Sequence, residues 1–324
     1  MSKNLHTIWI LFIIAILTTI AIVSTGQDYI QYHRTFNKVD EDILSENYTR
    51  AIERLDSIYE NYNYIFAQHC MKALQICCIA NDSTRASRWL EKCFKQGIPM
   101  WTVRTDEITA KSLSYSTSAN AIQHYDSLRF TYKSHINSKL AQTIDSIFQI
   151  DQKYTQKVND GFILFRPIYG LRWIRCNKRT FRAIYSITRE YGFPGERIIG
   201  LPTTYEDSAL QIEYIKQYGI HLRQWQPYFM LLHYFSTARK VQDDFKEILF
   251  ENLKAGNLSS FQFATICNYI YKYSKHSRPK YEYYNYNTDS NRISIGLNTI
   301  ETERENTKRV INGKTYSGII MDCP

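Results

Sequence analysis

Three side chains in this sequence have the chemical types needed for acid–base catalysis or for holding an anion: Asp151, His233 and Arg292. If the fold brings them into one cleft, the carboxylate and imidazole can exchange protons while the guanidinium holds a negative charge. Gln152 and Arg197 are further candidates for ligand contacts in that cleft. Each residue also has an ordinary structural interpretation. His233 stands in an apolar run and fits a core position, and Asp151 and Arg292 can form a buried ion pair.

A second candidate surface is the basic stretch 161–189, which contains no Asp or Glu in a chain of net charge +9. Its arginines recur at helical spacing: Arg172, Arg175, Arg179 and Arg182. With aromatic residues between them, they form a surface suited to lipid headgroups, acidic glycans or an acidic partner. A solvated basic face without a ligand is the alternative. A new helix beginning at Asn177 would break the alignment.

The seven cysteines do not follow a metal-binding or disulfide pattern. The chain contains no CxxC or HxxxH pair, and it is too long to need a disulfide framework. Cys70 and Cys77 are seven residues apart on one face of a predicted helix, and with His69 and Cys93 they form a candidate metal cluster. Small thiols packed between helices explain the same spacing. We predict neither a metal nor a cofactor.

The elements that position these residues follow an apolar run from Ile8 to Val23, behind Lys3 as the only fixed charge. The run is intermediate in length between a signal peptide and a spanning helix, and Ser24, Thr25 and Gly26 suit cleavage. Residues 1–26 are therefore predicted to be a signal peptide or a single membrane anchor. Both interpretations export the body to the periplasm, free or anchored at the inner membrane, which argues against nucleic acid as a partner and against cytosolic chemistry.

A repeat with an offset of 35 residues begins after a polar connector predicted for 27–44. The segment 48–59 aligns with 83–94, so that Ala51 matches Ala86, Leu55 matches Leu90 and Tyr59 matches Phe94. A helix carrying Tyr64, Ala67, Met71 and Leu74 is predicted between the two copies. The period is close to that of helix–turn–helix repeats. Residues 45–134 resemble the tetratricopeptide-like units of exported proteins from Bacteroidetes-type bacteria, although the Trp and Gly of the full consensus are missing.

The remainder is predicted to be helical up to about residue 300, with a loop at 161–170. The predicted helices are 117–133, 136–158, 178–191, 206–218, 227–238, 242–254 and 259–273. In the tail, 301–324, Asn312-Gly313 within Val310–Tyr316 predicts a β-hairpin with a type I′ turn.

A second resemblance covers roughly 140–300, which is similar to a bacterial domain family of unknown function found in secreted proteins. Its marks, in order, are Asp151-Gln152, the segment Gly192–Gly200, His233, Gly256 and Arg292–Leu297. The family often has Arg soon after Asp-Gln, whereas this chain has Lys153-Tyr154-Thr155. The resemblance implies no established activity.

Together these patterns predict a mainly α protein with two helical regions, 45–134 and 135–300, behind one membrane segment. The function they favour is a non-enzymatic interaction or structural module of the cell envelope that binds a protein or peptide. Two alternatives are an enzyme using Asp151, His233 and Arg292, and a protein that binds an anionic glycan or lipid through Arg172, Arg175 and Arg179.

Overall fold

The computed structural model describes residues 27–201, 226–237, 241–273 and 282–311. Within these ranges the chain is mainly α, as predicted, and contains no strand. The helices are α1 (Tyr29–Leu44), α2 (Tyr48–Asn61), α3 (Ala67–Ile79), α4 (Ser83–Lys95), α5 (Met100–Thr105), α6 (Ala119–Gln123), α7 (Tyr125–His135), α8 (Ser138–Asp160), α9 (Arg166–Tyr191), α10 (Glu196–Ile199), α11 (Gln226–Thr237), α12 (Phe245–Lys254), α13 (Ser260–Tyr273), α14 (Asp289–Ser294) and α15 (Ile300–Ile311). Short 3₁₀ turns cover Thr109–Ser114, Ser116–Ser118, Ile163–Phe165 and Glu282–Tyr284.

Helix α1 occupies the segment for which the charge density predicts a polar connector, 27–44. Its apolar residues recur every three or four positions and are buried: Tyr29, Tyr32, Phe36, Val39 and Ile43. This period places them on one face of a helix. The charged residues between them make the segment polar on average, which is why its composition predicts a connector. Asp28 caps the helix by accepting a hydrogen bond from the Ile30 amide, 2.9 Å away. The connector prediction is wrong, because the segment contributes to the core.

The two copies of the sequence repeat are helices α2 and α4, with α3 between them. Equivalent residues cap both copies, since the side chains of Asn47 and Asp82 accept from the amides of Arg50 and Arg85. The matched Ala and Leu positions are fully buried: Ala51, Leu55, Ala86 and Leu90. Tyr64, predicted on the intervening helix, instead precedes α3. The repeat therefore marks two helices with the same cap and the same buried face.

Buried apolar side chains form two clusters. One draws on residues 29–121 and Leu201, and the other on residues 140–295 with Ile30. Glu196, in the short helix α10, links the two halves by accepting hydrogen bonds from the Tyr64 hydroxyl at 2.7 Å and the Ala67 amide at 2.6 Å. Since α3 has no capping side chain of its own, this carboxylate satisfies an amide of its first turn.

In the second half, α8 and α9 form a long antiparallel hairpin that packs against α11, and α11 packs against α13. Helix α9 begins at Arg166, inside the loop predicted for 161–170, because Pro167 suits the first turn of a helix. The helix continues without a break through Asn177, which is buried. It ends at Tyr191, as predicted, where Gly192 adopts a φ of 91° that only glycine takes up without strain.

Several remaining boundaries differ from the patterns. The helix predicted for 117–133 is divided into α6 and α7 at His124. Helix α12 begins at Phe245, three residues after the predicted start. The start of the predicted tail is helical, since α15 extends to Ile311 and includes Val310, the first residue of the predicted hairpin. Residues 312–316, the apolar run Ile8–Val23 and the predicted helix 206–218 lie outside the described residues.

Crossing a bilayer takes a long and predominantly apolar helix, and none of the helices in the described part of the chain meets that requirement.

Candidate functional site

The α8–α9 hairpin carries a groove of about 460 Å³ that is lined by both of its helices. Helix α8 supplies Ile147, Ile150 and Tyr154 to its lining, at a spacing of three and four residues. Helix α9 supplies the rest: Arg172, Arg175, Cys176, Arg179, Thr180 and Ala183. The groove is within the size range of small-ligand sites, and it combines an apolar wall with three guanidinium groups.

The three arginines of the groove are exposed, and none forms an ion pair with another described residue. Their spacing of three and four residues puts them on one stripe of α9 because the helix is continuous through Asn177. Arg182 continues the spacing in sequence but does not line the groove. No carboxylate is among the lining residues in the described part of the chain, so the groove is cationic and is not neutralised from within.

Asp151 and His233, which are 82 residues apart in sequence, meet in the structure. Nδ1 of His233 lies 2.7 Å from Oδ2 of Asp151. The carboxyl group is fully buried, whereas 24% of the histidine side chain is exposed. A carboxylate can only accept, so this contact assigns the proton to Nδ1 and leaves Nε2 as the acceptor of a neutral ring. Such a pair has the geometry of an oriented general base.

Asp151 is only partly satisfied by hydrogen bonds. Gln152 donates from Nε2 to Oδ2 of Asp151 at 3.1 Å, so the two predicted residues are in contact. The other oxygen, Oδ1, is buried and has no hydrogen-bond partner among the described residues. A buried acceptor left without a partner is costly, and such groups often mark functional positions.

Two residues that support the pair were not among the sequence candidates. The Trp173 ring lies 5.8 Å from the His233 ring, and its indole nitrogen donates to the Thr155 hydroxyl at 3.1 Å. Asn177 donates from Nδ2 to the backbone carbonyl of His233 at 3.2 Å. A spacing of four residues puts Trp173 and Asn177 on one face of α9, but that spacing alone does not reveal what the face contacts.

Cys176, the thiol in the groove, is not an activated nucleophile. Burial raises the pKa of its thiol above the ordinary value, and the nearby Asp151 charge acts in the same direction. A raised pKa keeps the sulfur protonated at neutral pH, whereas nucleophilic cysteines have lowered pKa values. A cysteine-based mechanism is therefore not supported.

The remaining candidates have other surroundings. Arg292 pairs with Glu303 and donates from Nε to the Asn298 carbonyl at 2.8 Å, and neither contact involves Asp151 or His233. Arg197 lies over the Tyr29 and Tyr64 rings, at 5.5 and 5.4 Å from their centroids.

Arg197 and Lys254 line a second groove, of about 410 Å³, together with two carboxylates, Asp28 and Glu251. The two carboxylates offset these two cations, so the second groove suits an anion less well than the α8–α9 groove does.

The cysteines near His69 lie in the first core. His69 stacks on Phe36, with ring centroids 3.8 Å apart, and its Nδ1 is 2.7 Å from the Tyr32 hydroxyl. All six cysteines of the described ranges are buried and free of disulfides: Cys70, Cys77, Cys78, Cys93, Cys176 and Cys267. Packing thus accounts for these thiols.

Comparisons with protein-family models, with curated proteins and with solved structures found no match for this chain. The resemblances to tetratricopeptide-like units and to the bacterial domain family therefore stay predictions from the sequence.

Proposed function

We propose that this chain is a non-enzymatic binding protein of the cell envelope and that the α8–α9 groove is its ligand site. The observation that carries the proposal is the alignment of Arg172, Arg175 and Arg179 along one wall of the groove, opposite Ile147 and Ile150. Guanidinium groups bind carboxylates and phosphates, while the isoleucine wall gains from contact with an apolar chain. The ligand class is therefore a molecule with an anionic group next to an apolar segment.

The envelope location rests on the predicted leader, 1–26, and the interaction role agrees with the tetratricopeptide-like pair. That pair nevertheless offers little apolar surface to a partner. Within 45–134, Phe130 is the one large apolar side chain that is more than a third exposed. An acidic glycan would engage the arginines but leave the apolar wall without a contact, so it fits the groove less well than an amphipathic anion.

Calorimetric titration of the full chain with hexyl phosphate tests the ligand site. We expect Arg175→Gln to weaken binding roughly ten-fold, because a hydrogen bond to a charged group contributes about 1.5–3 kcal/mol. Arg182→Gln is the matched control, since it removes the same charge from the same helix outside the groove. Equal losses in both variants, or hexyl phosphate binding no better than hexanol, would contradict the site. Inorganic phosphate shows how much the apolar segment contributes.

A second candidate function, general acid–base catalysis, is carried by the 2.7 Å contact between His233 and Asp151. The partial exposure of the histidine favours it, as does Oδ1 of Asp151, which has no hydrogen-bond partner among the described residues. The ion pair between Arg292 and Glu303 argues against a site formed by Asp151, His233 and Arg292 together, because the guanidinium is already paired. Any such activity would rest on Asp151 and His233 alone.

A further inference from the structure

The bend between α8 and α9 presents a cluster of large apolar side chains to solvent. The exposed fractions are 65% for Phe162, 68% for Ile163, 72% for Leu164, 50% for Phe165, 48% for Ile168 and 61% for Leu171. We call residues 162–168 the apolar tip. Large apolar side chains that are exposed singly are common on protein surfaces, but a contiguous group usually marks an interaction site.

The backbone of the tip is ordered by its own contacts. The amide of Phe165 donates to the Phe162 carbonyl at 2.9 Å, closing a 3₁₀ turn that leads into α9. The Phe165 ring lies 6.2 Å from Phe162 and 6.4 Å from Tyr169. These contacts hold the side chains together at the end of the hairpin without burying them, so the tip is preformed for contact with a partner.

Positive charge surrounds and follows the tip. Arg166 lies within it and donates from Nε to the Gly161 carbonyl at 3.0 Å, and the Lys157 ammonium lies 5.8 Å from the Tyr169 ring. Asp160, at the end of α8, is the nearest acidic residue in sequence, and none follows until Glu190. An apolar end backed by cations is complementary to a surface with an apolar interior and an anionic rim.

We propose that the apolar tip inserts into the surface of an anionic lipid bilayer, with the arginines of the groove facing the headgroups. This inference rests on the proposed function, and it identifies the amphipathic anion as a membrane lipid. Insertion at the interface requires no spanning helix, because side chains at a bend reach the boundary between headgroups and acyl chains. A soluble acidic partner matches the charges of α9 but leaves the exposed tip without an apolar environment.

A polarity-sensitive label at the tip tests the proposal. The full chain carries Leu164→Cys with Cys323→Ser and is labelled with nitrobenzoxadiazole, since the six described cysteines are buried. With vesicles of phosphatidylcholine and phosphatidylglycerol, we expect the emission to rise and to be quenched by nitroxides on the acyl chains. Pure phosphatidylcholine should give a much weaker response. Ser127→Cys, at an exposed position on α7, provides the matched control. A label there should remain in water even when the chain binds the vesicle through another segment.

Two sets of variants separate the contributions of the tip and the groove. Replacing both Phe162 and Phe165 by Ser is expected to weaken vesicle binding about ten-fold or more. The substitutions remove the apolar surface that the two rings bury in the bilayer. Arg172→Gln with Arg175→Gln should weaken binding and reduce its dependence on salt, whereas Arg182→Gln should have a smaller effect.

A label at residue 164 that stays in water with both lipid compositions would overturn the membrane inference. If hexyl phosphate still bound the groove, the proposed ligand site would stand alone. Insertion of the label without hexyl phosphate binding would refute that ligand site and retain the tip as the membrane contact. The proposal would also be overturned if the chain had twice its expected molar mass and the label at residue 164 were shielded from water before vesicles are added. Those results would show that a second copy covers the tip.

Discussion

At the scale of residues, the buried Asp151 carboxylate and the partly exposed His233 imidazole have two interpretations that share one geometry. In a structural role, the pair satisfies polar groups between α8 and α11. In a catalytic role, Asp151 orients the ring so that Nε2 can take a proton from a bound substrate. The unpartnered Oδ1 shows that hydrogen bonding within the described residues does not fully satisfy the carboxylate.

Substitution at both positions distinguishes these roles. Asp151→Ala should lower the free energy of unfolding by about 1–3 kcal/mol, because the partly buried Nδ1–H of His233 loses its acceptor. Urea denaturation measures this loss, with Gln152→Ala as the neighbouring control. A catalytic His233 predicts slow hydrolysis of p-nitrophenyl acetate that His233→Gln abolishes and Arg175→Gln retains. If the parent chain is no faster than buffer, the enzyme hypothesis loses its support.

At the scale of elements, α3 brings three thiols into the first core: Cys70, Cys77 and Cys78. Burial raises the pKa of each, for Cys78 from an ordinary 9.0 to about 11. The folded state therefore disfavours the thiolate more than the unfolded state does. Stability from these groups is intact below the ordinary pKa and is lost as the pH rises from there towards the folded pKa.

The consequence is alkaline destabilisation. Between its two pKa values, one such thiol changes the free energy of unfolding by at most about 1.4 kcal/mol per pH unit. We expect the urea midpoint to fall between about pH 8 and about pH 10. The fall should be smaller in Cys78→Ala, which lowers stability at both pH values but removes one titrating group. An unchanged pH dependence in that variant would show that Cys78 is not a source of the effect.

At the scale of the whole molecule, Glu196 connects the two cores. Its carboxylate accepts from the Tyr64 hydroxyl and the Ala67 amide, both in the first half, while α10 follows the long hairpin of the second half. Burial raises the pKa of Tyr64 well above its ordinary value, and the Glu196 charge raises it further. The phenol therefore remains a hydrogen-bond donor over a wide pH range.

Glu196→Ala should lower the free energy of unfolding by roughly 1–3 kcal/mol, because two donors lose their buried acceptor. Glu53→Ala, an exposed glutamate on α2, is the control and should change stability by less than about 0.5 kcal/mol. Chemical denaturation followed by circular dichroism measures both. If the two variants were equally stable, the carboxylate would not stabilise the contact between the halves.

Local patterns in the sequence determined the helical class, the ends of α9, α12 and α13 and the repeat at an offset of 35, because caps, glycines and the helical period act over a few residues. They also marked the arginine stripe and His233 as candidates. They misjudged 27–44 because the charged residues of α1 masked its buried face. The exposure of the tip, the wall of α8 opposite the arginines and the contact of His233 with Asp151 depend on how separate helices pack. Only the tertiary structure decides these features, since the 82 residues between the acid and the imidazole place no local constraint on their distance.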